Sequence, residues 1–242
     1  MTPLPCDSTG GVLNRLSVGL GSEKASLLTR YAALVRAASE RAGLVSKGDI
    51  EAIEKRHFAE SLALGGALQE RLVLLSPVID IGSGAGFPGL PMKIAWPALE
   101  MTLLEATAKK ASFLELAIAE LRLTGVRVVT GRAEDAARDP AHRGAYALAL
   151  ARAVAPLPVL IELALPFLRP GGVLASPKGS AALREVAESE NALRELGGTI
   201  IETAALPIEA RGPVPTLVII RKDGPTPEHY PRRAGMPRKR PL

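Results

Sequence analysis

The chain has 242 residues, 47 % of them apolar and 23 % charged, with a mean hydropathy of +0.17. That is enough to bury a full core and excludes a disordered or collagen-like chain. The net charge of +5 is uneven: Arg221 to Leu242 carries seven Lys or Arg against Asp223 and Glu228, while the first 220 residues are neutral. A neutral body with a basic end points to a polyanionic partner. The single cysteine, Cys6, excludes an internal disulfide, and His57, His142 and His229 are too scattered for a local metal motif.

The longest apolar stretch, Tyr146 to Leu168, is interrupted by Arg152, Glu162 and three prolines, short of the ~20 uninterrupted apolar residues a spanning helix needs. Met1 to Gly21 lacks the charged and apolar regions of a secretory signal. A cytoplasmic protein with no membrane and no metal partner is expected.

In chain order, Leu27, Leu28, Tyr31, Leu34, Val35 and Ala38 recur at helical spacing and predict an amphipathic helix. A second helix is predicted from about Asp49 to Leu68, with Ile53, His57 and Ser61 on one face. From Pro77 onward, β-rich runs alternate with helical ones. The runs are Val78–Ile81, Glu100–Leu104, Val126–Val129, Tyr146–Leu150, Gly172–Ser176, Thr199–Thr203 and Thr216–Ile220. This order predicts an α/β fold with a doubly wound, mostly parallel sheet and an antiparallel strand near the C-terminus. The helices before Pro77 would cap it.

Ligands of such sheets bind at the carboxyl ends of the strands. After the first strand comes Gly82-Ser83-Gly84-Ala85-Gly86-Phe87-Pro88-Gly89, where glycines permit positive φ and close approach of a ligand. Gly84, Gly86 and Gly89 satisfy the dinucleotide spacing, with Glu105 placed to hold a ribose. Gly82, Gly84 and Gly86 equally form an S-adenosylmethionine loop. Asp80, at the strand end, would repel a pyrophosphate and attract an ammonium or sulfonium, which favours the cationic cofactor.

The other strand ends carry further candidates. Glu105 is suited to accept ribose hydroxyls, and Lys109 and Lys110 open the next helix, where a macrodipole disfavours cations. Arg132-Ala133-Glu134 could read an adenine edge. Arg152 and Lys178 follow neighbouring strands and would form a positive rim suited to a phosphate or to guanine.

These residues resemble the bacterial small-subunit rRNA guanine-N7 methyltransferases of the RsmG, or glucose-inhibited division protein B, family. The matching stretches are Arg56-His57 with Ser61, Asp80 to Pro91, Leu104-Glu105 with Lys109-Lys110, Arg132-Ala133-Glu134, Ala151-Arg152-Ala153, Lys178-Gly179, and Tyr230-Pro231-Arg232 through Lys239. The resemblance implies a Rossmann-like class I S-adenosylmethionine-dependent methyltransferase, with a seven-stranded sheet over residues 77–222, an N-terminal helical cap over 1–76 and a basic Pro/Arg-rich tail over 223–242. It implies cofactor contacts from Gly82, Phe87, Ala133, Glu134 and Arg152, to which the residue reading adds Asp80, Gly84, Gly86 and Glu105. The implied substrate is a guanosine in the decoding-region loop of 16S rRNA, free or in the small ribosomal subunit, bound by a monomer.

RNA contacts are expected from Arg56, His57, Lys109, Lys110, Arg232, Arg233, Arg238, Lys239 and Arg240. The sequence departs from the family at Gly43-Leu44-Val45, where Asn-Leu-Thr is usual, at Glu60, where Asp is usual, and in Arg211 to Thr216, which lacks the arginine normally placed just before the last strand. Guanine N7 offers a lone pair and carries no proton, so no general base is nominated. Arg152 and Lys178 are assigned to catalysis as residues that hold RNA or the cofactor carboxylate. Two other functions fit the residues: a NAD-dependent oxidoreductase, and a non-catalytic RNA-binding ribosome assembly factor.

Overall fold

The strands form one seven-stranded sheet in the order β3-β2-β1-β4-β5-β7-β6. A computed structural model describes residues 20–51, 53–72, 75–208 and 214–242. Cys6, most of the segment assessed as a signal and part of the run Arg211–Thr216 lie outside the described residues. The strands are β1 (Val78–Ile81), β2 (Met101–Glu105), β3 (Val126–Thr130), β4 (Tyr146–Ala151), β5 (Leu168–Lys178), β6 (Gly198–Ala205) and β7 (Thr216–Lys222). β1 to β5 pair in parallel, and β7 runs antiparallel to both β5 and β6. The order reverses at β1, which lies between β2 and β4, and this is where a crevice opens at the carboxyl edge.

Both faces of the sheet are covered, which is why its central strands read as unbroken apolar runs. Alternation along β1 sends Val78 to one hydrophobic cluster and Ile79 and Ile81 to the other. The first cluster includes α1 (Ser22–Ala42), α3 (Ala59–Leu72), α4 (Gly89–Ala95) and α5 (Ala108–Glu120). The N-terminal helices therefore share their core with the sheet. α1 buries Leu28, Tyr31, Ala32 and Val35 completely and ends at Gly43, whose φ of 59° allows its N–H to return to Ser39 O at 2.9 Å.

The second predicted helix is interrupted. A four-residue α2 (Lys47–Ile50) precedes a π-helical turn, Ile53–Phe58, which leads into α3. The wider turn buries Ile53, Glu54, His57 and Phe58 together. Glu54 is neutralised by Arg36, whose Nη2 donates to both carboxylate oxygens at 2.7 Å. Turns of this kind concentrate at functional sites, and here it carries His57 to the sheet.

The C-terminal segment is folded against the body rather than trailing as a tail. Tyr230 belongs to the second cluster, with α7 (Leu157–Ala164) and α8 (Glu190–Leu196). Arg138 donates to Pro231 O, and Arg143 to Tyr230 O and Thr226 O. Arg232 grips the fully buried Glu162 through Nε and Nη2, the shortest contact being 2.5 Å. The basic surplus of this end is thus partly spent on internal pairing, at positions 70 residues apart in the chain.

Candidate functional site

The carboxyl edge of β1, β2 and β4 is flanked by the π-turn on one side and the C-terminal segment on the other. On the π-turn side lies a cavity of about 250 Å³, whose walls include Ser46, Asp49, His57, Gly82, Phe87 and Arg152. A smaller one of about 160 Å³, bounded by Pro77, Glu100 and Arg127, sits where the strands begin, away from the ligand-binding edge.

Gly82, Gly84 and Gly86 have φ of 66°, 59° and 96°, the region that favours glycine. A Cβ on Gly84 would meet nothing closer than Gly82 O at 3.9 Å, so this face of the loop is open. Gly89 does another job: a Cβ there would stand 2.6 Å from Leu103 Cδ2, so its absence lets α4 pack on β2. Tyr31 secures the loop from α1 by donating its hydroxyl to Ala85 O. Pro88 caps α4 and Pro91 lies in its first turn, where a missing N–H costs nothing.

Asp80 does not face a ligand. It is fully buried beneath the loop, where Oδ2 accepts from Gly89 N at 3.1 Å and Oδ1 has no partner. It is absent from the cavity lining, so any attraction it exerts on a cation acts through space and not by direct contact. Burial lifts its pKa from 3.8 to about 7. His57 moves the other way, from 6.5 to about 4, through burial and then the charge of Arg152.

These shifts oppose each other in the pH dependence of stability. Asp80 binds a proton more readily when folded, so its contribution is complete below about pH 4 and is lost as pH rises to 7. His57 binds one less readily, so its contribution is complete above pH 6.5 and is lost as pH falls to 4. Asp80→Asn keeps an acceptor for Gly89 and removes the first limb. Urea unfolding should show the variant gaining on the wild type between pH 4 and 7, by up to about 1.4 kcal/mol per pH unit. A difference that is constant with pH would contradict the assignment.

Glu105 reaches across the sheet edge and accepts from Gly84 N at 2.9 Å and Thr107 N at 2.7 Å. It braces the glycine loop, with lone pairs remaining for a ribose. Ala133 and Glu134 open the short α6 (Ala133–Ala136). Glu134 is buried, and its Oε1 accepts from Gly235 N at 2.8 Å. The C-terminal segment thereby touches a predicted cofactor contact.

The expected positive rim does not form. Arg152 donates to Glu60 Oε2 and contacts His57 Nδ1, both at 2.7 Å, and its guanidinium carbon lies 5.5 Å from the centre of the Phe87 ring. The His57 ring stacks on Phe87 at 4.9 Å. Lys178 is held by Glu185 at 2.8 Å and donates to Ala155 O at 2.6 Å. Each cation has a carboxylate of its own, so Arg152 walls the cavity while Lys178 fixes the loop after β4.

The predicted RNA contacts divide similarly. His57 is buried and Arg232 is committed to Glu162. Arg56 is exposed and paired with Asp49 at 2.6 Å. Lys109, Arg233, Arg238, Lys239 and Arg240 are exposed, and Lys110 is half-buried. Arg238 also donates to Val154 O at 3.2 Å, which places this basic group beside the cavity. Sequence reasoning did not select Ser46 and Asp49. Their Ser-x-x-Asp spacing was the available signal, since Ser46 Oγ accepts from Asp49 N at 3.2 Å as a helix cap does.

The residues fit S-adenosylmethionine. The open glycine face admits a ligand to the backbone, and Glu105 beside it offers a carboxylate for ribose hydroxyls. Among the described residues no cluster of metal-ligating side chains is found, and no helix is long and apolar enough to cross a membrane.

Residues 24–206 match the family model described as GidB, rRNA small subunit methyltransferase G. The chain is 48 % identical to the ribosomal RNA small subunit methyltransferase G of Roseiflexus castenholzii, over 88 % of this chain and 89 % of that one. It is 41 % identical to the protein of the same name from Desulfitobacterium hafniense, over 94 % and 93 %. A solved S-adenosylmethionine-dependent methyltransferase, so described provisionally, from Methanococcus maripaludis shares the fold, with a TM-score of 0.54 and 18 % identity over 73 % of this chain and 92 % of that one.

Proposed function

The chain belongs to the rRNA small subunit methyltransferase G family, and from that premise we propose that it methylates N7 of a guanosine in the decoding-region loop of 16S rRNA. Membership carries the coarser statement that it is an S-adenosylmethionine-dependent methyltransferase of small-subunit rRNA. The observation that supports the finer one is the cavity between the glycine loop and the π-turn, walled by Phe87, His57 and Arg152.

The cofactor supplies an electrophilic methyl: the N7 lone pair forms the new C–N bond as the S–C bond breaks, giving a cationic base and a neutral thioether. N7 has no proton to lose, so the chain's task is alignment, from which well-oriented reactants recover about 7–11 kcal/mol of barrier. Phe87 is held by the stacked His57 ring and by the Arg152 guanidinium, which bond to each other beside it. The loop after β4 is pinned by Lys178 at Ala155 and by Ser176 at Ala151. Because methylation makes the base positive, unpaired cations beside N7 would oppose it. Glu60 and Glu185 offset Arg152 and Lys178, so neither cation acts alone.

Lys55 and Arg56 on the π-turn and Arg233, Arg238, Lys239 and Arg240 on the C-terminal segment are exposed and would bind phosphates. Among the described residues the large apolar side chains that are exposed, Leu116, Leu183, Ile201 and Val214, lie on separate segments of the chain, which favours a monomer. Mass spectrometry of 16S rRNA tests the reading. Deleting the gene should remove one N7-methylguanosine and re-expressing the chain should restore it; an unchanged modification would refute it.

A further inference from the structure

His57 presents a donor whose partner is not in the protein. The Arg152 guanidinium can only donate, so His57 Nδ1 accepts from Arg152 Nη2 and the neutral ring carries its proton on Nε2. The side chain is more than nine-tenths buried, and Nε2 has no hydrogen-bond partner. A buried N–H left unmade costs about as much as a good hydrogen bond provides, so an incoming acceptor would be well rewarded there.

Asp49 Oδ1 lies 4.0 Å from this nitrogen, and both residues line the cavity. The carboxylate is held by Ser46 Oγ at 2.7 Å and Arg56 Nη1 at 2.6 Å. Those bonds, Ser46 first, keep its pKa below the usual value, and lone pairs remain on both oxygens. The wall thus presents two acceptor oxygens beside one donor. The Watson–Crick edge of guanine is the complement: a 2-amino donor, an N1–H donor and the O6 acceptor. Adenine offers an acceptor at N1 and a donor at N6, which this wall would leave mispaired. N7 lies on another edge and stays free of donors, as an attacking lone pair requires.

We propose that Asp49 and His57 determine specificity for the target guanine, with the Asp49 carboxylate accepting from N1–H and the 2-amino group and His57 Nε2–H donating to O6. This rests on the guanine-N7 reading above.

The test uses the full chain with 16S RNA carrying guanosine or inosine at the methylated position; inosine keeps N1–H, O6 and N7 and lacks only the 2-amino group. The wild type should use inosine about ten- to a hundredfold less efficiently in kcat/KM. Asp49→Ala should lose a similar factor on guanosine and no longer distinguish the two RNAs, because the two changes remove one interaction. Asp49→Asn should behave alike. The ratio of the two rates is independent of how much of a variant is folded. Affinity for S-adenosylhomocysteine, by calorimetry, should stay within twofold.

A variant that keeps the wild-type ratio would overturn the proposal. So would a tenfold loss of S-adenosylhomocysteine affinity, which would assign Asp49 to the amino-acid end of the cofactor. A wild-type chain that makes no N7-methylguanosine on the guanosine RNA would overturn the parent reading and this one with it, and is told apart by appearing before any substitution is made.

Discussion

Gly84→Val is expected to weaken S-adenosylhomocysteine binding at least a hundredfold while the protein remains folded. Gly84 holds φ at 59°, and the space where its side chain would go contains no atom within 3.9 Å. The Cβ of a valine there meets no packing conflict, and the side chain projects from the face of the loop that the cofactor must approach. Left-handed strain costs about 1–2 kcal/mol, which for a chain of this length lowers Tm by roughly 2–8 °C. Calorimetric titration beside a thermal melt separates the two effects.

Gly89→Ala makes the contrast. Its Cβ would fall 2.6 Å from Leu103 Cδ2 and 2.8 Å from Asp80 Oδ2, so its damage should appear in the melt and reach the cofactor only through misplacement of α4. Retained affinity in Gly84→Val would mean that the cofactor does not lie over this loop.

Arg232→Ala is expected to destabilise the fold by about 3 kcal/mol, well beyond what loss of an RNA contact would do. Glu162 is fully buried and receives the Arg232 backbone N–H, Nε and Nη2. Removing the guanidinium leaves a carboxylate uncompensated in the second hydrophobic cluster, and breaking such a pair costs about 3–5 kcal/mol. The lower figure applies because Arg232 is itself partly exposed. Tm should fall by roughly 6–12 °C, and Arg232→Lys should recover only part of it, since an ammonium cannot reproduce the forked contact. Arg233→Ala, at an exposed neighbour, should leave Tm unchanged and reduce the salt dependence of RNA binding by up to about 0.7 in the log–log slope. A melt of Arg232→Ala within 2 °C of the wild type would show that the segment is not anchored at this pair.

What could be read locally was read well. The seven β-runs, the glycine loop and the amphipathic α1 rest on spacing and turn chemistry confined to about a dozen residues, and they lie where the pattern put them. β5 starts at Leu168, four residues before the predicted run, because Arg169-Pro170-Gly171 continues as an exposed strand start that lacks an apolar signature. The π-turn was invisible because Ile53, His57 and Ser61 repeat at the same interval in either kind of helix.

The site was legible only in its backbone. An arginine reads the same whether it faces solvent or is bonded to a carboxylate, and its partner is set by topology rather than by neighbours. Arg152 meets Glu60 across 92 positions, Arg232 meets Glu162 across 70, and Gly235 meets Glu134 across 101. The basic terminus shows the same division: sequence alone determined that the +5 surplus is concentrated there, because charge is a property of composition. Only the tertiary structure decided that Arg232 is internal while Arg233, Arg238, Lys239 and Arg240 remain at the surface. The reason is physical: burying Glu162 in the core demands a cation, and the folded chain brings Arg232 within reach of it.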